Sequence, residues 1–189
     1  PRPIISQSLS DVILLRGSTR KFSRQPITFT QLSNILYSLT TPTHSDFDDK
    51  KSMVDIYFIA NDVTKMQKGA YFFNRKDNSI DLLKANVQRN VSGYLCLEQS
   101  LFSDASVVFY IMTNLGLIVD ILGNRGYRSC QFESGIIAGR IYLSAYNQKI
   151  GASGSTFYDD AVSEFFSPHA KDKDVMISVG IGIPDYRSK

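Results

Sequence analysis

The sequence is poor in the residues that build metal sites and disulfide frameworks. Its 189 residues include no tryptophan, two cysteines, two histidines and six prolines. Cys96 and Cys130 each stand alone, with neither a second cysteine nor a histidine at metal-ligand spacing. We therefore predict reduced, inert thiols in a cytoplasmic protein that binds no metal.

Long apolar runs and clustered charge of one sign are also absent. No run approaches the roughly 18 apolar residues of a membrane span, and no charged and apolar leader opens the chain. The net charge of +3 is dispersed, so neither a membrane nor a nucleic acid is predicted as a partner, although a phosphorylated small molecule would suit it. Because the first residue is Pro1 rather than methionine, we expect a fragment or a processed product.

What the sequence does contain is enough apolar material for one core. Hydrophobic residues make up 43% of the chain, which predicts a single domain over residues 1–189. The stretch 131–149 predicts a central helix that protein surrounds on nearly every side. Gly135 and Gly139 would place two bare backbone positions on one face of this helix. That face predicts a close approach by a neighbour, and a subunit interface and the floor of a cofactor site are both consistent with it.

Periodicity and β-branched residues predict the elements around this helix. Strands are predicted over residues 54–60, 70–73, 80–83, 106–112 and 175–183, and further helices over 10–15, 32–39, 87–101 and 159–166. A turn at 76–78 joins the second and third strands into a hairpin. These elements predict a sheet that is mostly internal.

A segment near the N-terminus is dense in hydrogen-bond donors. Residues 16–22 read RGSTRKF, in which Arg16 and Arg20 offer planar forks of donors, Ser18 offers a hydroxyl and Gly17 permits close approach to the backbone. These are the groups that bind a phosphate or a polyol chain. An ordinary solvated basic turn is the alternative interpretation.

A second segment, residues 151–155, is made of small side chains. Its sequence, GASGS, predicts a slender loop whose backbone N–H groups can face the edge of a flat ring. A backbone donor directed at a ring nitrogen would suit this composition.

Several sequence blocks resemble a known family. RGSTRKF, followed by Pro26 and Ile27, resembles the Arg-x-Ser-x-Arg-x-Phe opening of nitroreductase-like flavoproteins. Five later blocks resemble the SagB/ThcOx-type branch of that superfamily: NRGYR at 124–128, ESG at 133–135, YL at 142–143, TFYDD at 156–160 and FFSPH at 165–169. The order and spacing of the blocks extend this resemblance over nearly the whole chain.

The resemblance implies a fold, a cofactor and the residues that bind it. The expected fold is α+β, with a mixed, mainly antiparallel central sheet flanked by helices, in an intertwined homodimer that holds FMN at the subunit interface. The implied FMN contacts are Arg16, Gly17, Ser18 and Arg20 for the phosphate and ribityl chain, Ser153, Gly154 and Ser155 for the edge carrying N5, and Arg187 for the phosphate.

The chemistry implied is hydride transfer through flavin N5, on a small-molecule or peptide substrate that the sequence does not identify. In the azoline oxidases of the SagB/ThcOx branch, a Lys-Tyr pair before the Gly-x-Arg-Gly-Tyr-Arg block is thought to move the substrate proton. This chain has Ile121 and Leu122 there, and neither can carry a proton. The candidates for that role are Tyr127, Tyr158 and Asp120.

Three hypotheses follow. The first is an FMN-dependent oxidoreductase of the nitroreductase superfamily, and the second is an azoline dehydrogenase that forms thiazoles or oxazoles in peptides. The third is a non-catalytic half of a larger protein that binds flavin or contributes dimer surface. Ile121, Leu122 and the polar stretch 41–53, which replaces a Ser-Gly-rich block of the branch, motivate the third.

Overall fold

A six-stranded antiparallel sheet separates two layers of helices. The computed structural model describes residues 7–42 and 52–185. Its elements are α1 (Leu9–Leu15), β1 (Ile27–Thr28), α2 (Phe29–Ser38), β2 (Asp55–Ala60), β3 (Val63–Thr64), β4 (Gly69–Asn74), β5 (Ser79–Ala85), α3 (Arg89–Leu95), α4 (Ser100–Asp104), β6 (Val107–Thr113), α5 (Leu115–Leu122), α6 (Arg125–Asn147), β7 (Gly151–Ser155), α7 (Asp159–Phe166) and β8 (Asp174–Gly182). The strand order is β5-β4-β2-β6-β8-β7, and β1 and β3 form a separate parallel pair. The predicted α+β class and mainly antiparallel sheet are confirmed.

The two central strands, β2 and β6, are apolar on both faces because helices cover both. Phe58 pairs with Phe109 and faces the layer of α2 and α6. Tyr57 pairs with Tyr110 and faces the layer of α3, α4 and α7. Burial of one such side chain stabilises the fold by about 1.5–3 kcal/mol. This explains why the strands predicted from continuous apolar runs are confirmed.

Helix α2 begins where its capping signal predicts. The Thr28 hydroxyl accepts a hydrogen bond from Gln31 N, while the Gln31 side chain accepts one from Thr28 N, which forms a complete capping box. Its buried face, with Leu32 and Ile35, packs on α6 and the sheet. The predicted amphipathic helix is therefore confirmed.

The single helix predicted over 87–101 is wrong, because the chain forms α3 and α4 there. Leu97 and Glu98 adopt left-handed backbone angles, with φ of 57° and 59°, which interrupt the helix. Gly93 allows α4 to pack against α3 after this interruption, since a Cβ at position 93 would overlap Ser103 Oγ of α4. The bare backbone of Gly93 lets the two short helices pack closely.

The slender loop predicted over 151–155 is also wrong, because these residues form β7, an edge strand of the sheet. Gly151 pairs with Gly182, and Gly154 pairs with Val179 of β8. The sequence of this strand gives no strand signal, because its small side chains include no β-branched residue and do not alternate between apolar and polar. The segment is consequently held more rigidly than a loop.

Helix α6 is longer than predicted and is not surrounded on every side. It begins at Arg125, and its buried side carries Ile137 and Ile141. Its other side is open: Phe132 is 61% exposed, and a Cβ on Gly135 or Gly139 would meet nothing within 4 Å in the described structure. The close approach predicted for these glycines therefore involves no described residue of this chain.

Both cysteines are free and buried. Burial raises the pKa of the Cys96 thiol to about 11, which leaves little thiolate near neutral pH and agrees with an inert side chain. Within residues 7–42 and 52–185, no helix combines the length and the apolar character needed to cross a bilayer.

Candidate active site

The N-terminal segment 16–22 lies along the outer edge of β7 and across the end of β8. Thr19 N donates to Ala152 O of β7 at 2.8 Å, and Ser23 N donates to Ile183 O at 2.9 Å. Phe22 is buried, and its ring lies 3.0 Å from where a Cβ of Gly182 would be. Two buried anchors, Thr19 and Phe22, thus fix the donor-rich segment to the same strands that carry the second predicted segment.

The predicted phosphate contacts in this segment are exposed and unpaired. Across the described parts of the chain, the side chains of Arg16, Ser18 and Arg20 make no hydrogen bond or ion pair. Neighbouring cations behave differently, since Lys21 pairs with Asp185 at 3.5 Å. Guanidinium groups without a partner among the described residues are available for an anionic ligand.

A cavity of about 470 Å³ lies between the C-terminal end of α1 and the open side of α6. Its lining residues are Ile13, Arg16, Gly135, Ala138, Gly139, Tyr142 and Leu143. This volume is within the usual range for small-molecule sites. The two glycines remove side chains from its floor, and Arg16 places a positive charge at its wall.

Two tyrosines of α6 connect the cavity to the segments beside it. Tyr142, in the cavity wall, accepts a hydrogen bond through its hydroxyl from Gly154 N of β7. The hydroxyl of Tyr146, one turn further along the same side, lies 3.3 Å from Thr19 Oγ1. The two segments predicted to bind one ligand therefore converge on one helix face.

Only one of the three predicted residues in β7 presents its backbone N–H at the open edge. In an antiparallel strand, the backbone N–H and C=O groups of successive residues point alternately towards and away from the neighbouring strand. Ala152 and Gly154 face outward, as their bonds to Thr19 and Tyr142 demonstrate. Ser153 is buried and pairs with Gly180 of β8, and the Ser155 hydroxyl accepts from Gln99 Nε2 at 2.9 Å.

This arrangement of sheet and helices matches solved structures. No protein-family model matches the sequence. A crystal structure from Anabaena variabilis, named as a nitroreductase, superposes with a TM-score of 0.84 and 24% identity, covering 94% of this chain. The chain has the nitroreductase fold. It spans only 38% of the length of the Anabaena chain.

Two other proteins are similar to this chain, one in sequence and one in fold. A Methanocaldococcus jannaschii protein, also named as a nitroreductase, is 28% identical over 163 residues, which cover 82% of each chain. The NADPH:FMN oxidoreductase of Vibrio harveyi, solved with NAD⁺, shares the fold at a TM-score of 0.67 and 17% identity, covering 95% of this chain and 70% of that one. The structural matches show the fold, and the sequence match adds similarity to a protein named as a nitroreductase.

Within this nitroreductase fold, the predicted acid-base residues lie away from the cavity lining. Tyr127, near the start of α6, is 48% exposed, and its hydroxyl accepts from Gln131 Nε2 at 3.2 Å. Tyr158 precedes α7 and packs its ring 5.6 Å from that of Tyr94. Asp120 is exposed on α5. Their catalytic roles stay predictions.

Two further expectations concern residues outside the described ranges. Arg187, predicted to contact the phosphate, lies beyond residue 185, and the polar stretch predicted over 41–53 falls largely on residues 43–51.

The sequence interpretation assigned no role to Tyr142 or Tyr146. A signal for both was present, because positions 135, 139, 142 and 146 recur at helical spacing and so share one side of α6. Two glycines followed by two tyrosines on that side predict a bare surface bordered by hydroxyl groups. This pattern favours a ligand-binding surface on that side of α6.

Proposed function

We propose that this protein is an FMN-dependent oxidoreductase of the nitroreductase superfamily that transfers hydride through flavin N5. One observation carries the proposal: Arg16 and Tyr142 line a single cavity, and Tyr142 contacts the open edge of β7. This geometry supports a phosphate site and a ring-edge donor that act on one ligand. The Vibrio harveyi FMN oxidoreductase, which shares the fold, supports FMN as the cofactor.

The residues around the cavity suit each part of FMN. The unpaired guanidinium groups of Arg16 and Arg20 and the Ser18 hydroxyl would hold the phosphate. Gly135 and Gly139 leave the floor without side chains, as a flat ring requires, and the outward N–H of Gly154 is the β7 donor for a ring nitrogen. When bound, FMN supplies the hydride chemistry, while these residues bind and orient it.

The residues proposed for proton transfer lie outside this lining. Tyr127 and Tyr158 are the proposed residues, because each is partly exposed and carries a hydroxyl group. Each would act on a substrate that approaches from the surface. A small molecule or a peptide could reach them there.

A homodimer is part of the proposal, because apolar side chains on two helices, α1 and α5, are exposed. Helix α5 has no buried residue, with Ile121 67% exposed, and α1 exposes Leu14 at 84%. Exposed apolar surface of this kind marks an interaction site. A second copy would cover the open side of α6 and complete the cavity wall.

The decisive experiment is a titration of the purified protein with FMN. We expect stoichiometric binding, quenching of flavin fluorescence, and turnover of an electron acceptor with reduced nicotinamide. Light scattering on the same sample is expected to give twice the chain mass of 21.2 kDa. A preparation that stays colourless after incubation with FMN and gel filtration would contradict the proposal, and a monomer that binds FMN would contradict only the dimer.

Within the superfamily, the sequence blocks at 124–128, 156–160 and 165–169 support the SagB/ThcOx-type branch. An azoline dehydrogenase of this type removes two hydrogens from a peptide azoline, which mass spectrometry measures directly. Unchanged azoline mass with neighbouring biosynthetic peptides would remove this narrower function and leave the broader one. A protein that binds FMN but turns over no acceptor would favour a non-catalytic half of a larger protein.

A further inference from the structure

The hydroxyl group of Tyr142 accepts the hydrogen bond that the Gly154 N–H can donate. Gly154 N is the donor and Tyr142 Oη the acceptor, and Tyr142 Oη lies 3.5 Å from where a Cβ of Gly154 would be. Because Gly154 faces away from β8, the strand ladder does not use this N–H. The tyrosine therefore takes the donor that the edge strand offers to the cavity.

A backbone N–H makes one well-aligned hydrogen bond at a time. A ligand acceptor that needs the Gly154 N–H must therefore first displace the Tyr142 hydroxyl. The displacement lowers the apparent affinity for the ligand, because an internal bond is lost for each external bond gained.

We propose that Tyr142 is an internal competitor for the Gly154 N–H, and that it weakens flavin binding while it keeps the β7 edge satisfied in the empty protein. The inference rests on the proposed function, because it takes FMN as the ligand. Tyr142 is a positioning residue: it acts through Gly154 and needs no contact with the reacting atoms. Its hydroxyl is released to water or to the opening of the cavity when the ligand binds.

The structure offers a matched pair of variants. Tyr142→Phe removes the competing hydroxyl and keeps the ring in the cavity wall. Tyr146→Phe removes a hydroxyl from the same side of the same helix, but that hydroxyl contacts Thr19 Oγ1 at 3.3 Å and no β7 donor. Tyr142→Leu is a second variant without the hydroxyl should the first fail to fold.

The expected result is tighter FMN binding by Tyr142→Phe, by about 2- to 10-fold in Kd, which corresponds to one net hydrogen bond. Tyr146→Phe should give no gain. In the ligand-free protein, NMR exchange of the Gly154 amide should be faster in Tyr142→Phe than in wild type. A hydroxyl with a merely structural role would leave FMN binding unchanged or would weaken it, and the exchange rate at Gly154 establishes that the hydrogen bond forms in solution.

Weaker or unchanged FMN binding by Tyr142→Phe, in a folded variant beside a wild type that binds FMN, overturns this inference and leaves the proposed function intact. An unchanged exchange rate at Gly154 also overturns it. Failure of the wild type to bind FMN overturns the proposed function itself, and the role of Tyr142 falls with it. Thermal unfolding of each ligand-free variant establishes that it is folded.

Discussion

Replacing Arg16 and Arg20 together by alanine is expected to lower the affinity for FMN by about 100-fold or more. A hydrogen bond to a charged group contributes about 1.5–3 kcal/mol, and 1.4 kcal/mol is about a factor of ten in Kd. Neither guanidinium has a partner among the described side chains, so the variant breaks no internal ion pair and should keep its unfolding temperature. Fluorescence titration of flavin measures the loss.

The matched control removes the same total charge elsewhere. Lys68 and Lys171 are exposed and make no side-chain hydrogen bond or ion pair within the described ranges. The double variant Lys68→Ala with Lys171→Ala should bind FMN almost as wild type does, apart from a small effect of net charge that salt screens. An equal loss of FMN affinity in both double variants would show that overall charge attracts the ligand. It would contradict a phosphate site at Arg16 and Arg20.

Replacing Gly151 by alanine is expected to reduce both the stability and the FMN affinity. A Cβ at this position would overlap Thr19 Oγ1 and lie 2.9 Å from Pro184 Cγ. Overpacking of this kind costs about 1–3 kcal/mol, and a domain of this size loses about 2–4 °C in Tm per kcal/mol. Because Thr19 anchors the segment that carries Arg16, its displacement should weaken the cofactor site too. Calorimetry and flavin titration measure the two effects.

Gly116→Ala is the control for that substitution. Gly116 lies in α5, where a Cβ would lie 3.7 Å from Asn114 Oδ1, an ordinary contact. Alanine is favoured over glycine within a helix by about 1 kcal/mol, so this variant should be as stable as wild type or slightly more stable. A Gly151→Ala protein with wild-type Tm and affinity would mean that the segment at Thr19 is not tightly packed on β7.

Burial alone decides the structure of the two central strands, which the sequence predicted correctly. The central strands β2 and β6 are covered on both faces, so their apolar runs were sufficient evidence. Strand β7 was missed because GASGS carries no apolar alternation, and its structure comes from pairing with β8. The break at Leu97 and Glu98 was missed because it depends on Gly93 meeting Ser103, a contact between separate elements.

The candidate site shows the same division. Arg16 and Arg20 were identifiable from residue type, because a cluster of donors is a local property of the chain. That Gly154 rather than Ser153 or Ser155 faces the open edge depends on the register of β7 against β8. Helical spacing places Tyr142 on the side of α6 that carries the two glycines, but its hydrogen bond with Gly154 depends on the distance between a helix and a strand, which no local pattern contains.

The contacts that build the cavity also protect the sheet from aggregation. The unpaired backbone groups of an uncovered edge strand can bind strands of other chains. Strand β7 is at the edge of the sheet. Its outward groups at Ala152 and Gly154 are covered by Thr19 and Tyr142. A substitution that lifts the N-terminal segment would therefore expose a strand to intermolecular pairing at the same moment that it opens the cavity, so low yield and poor flavin loading should occur together.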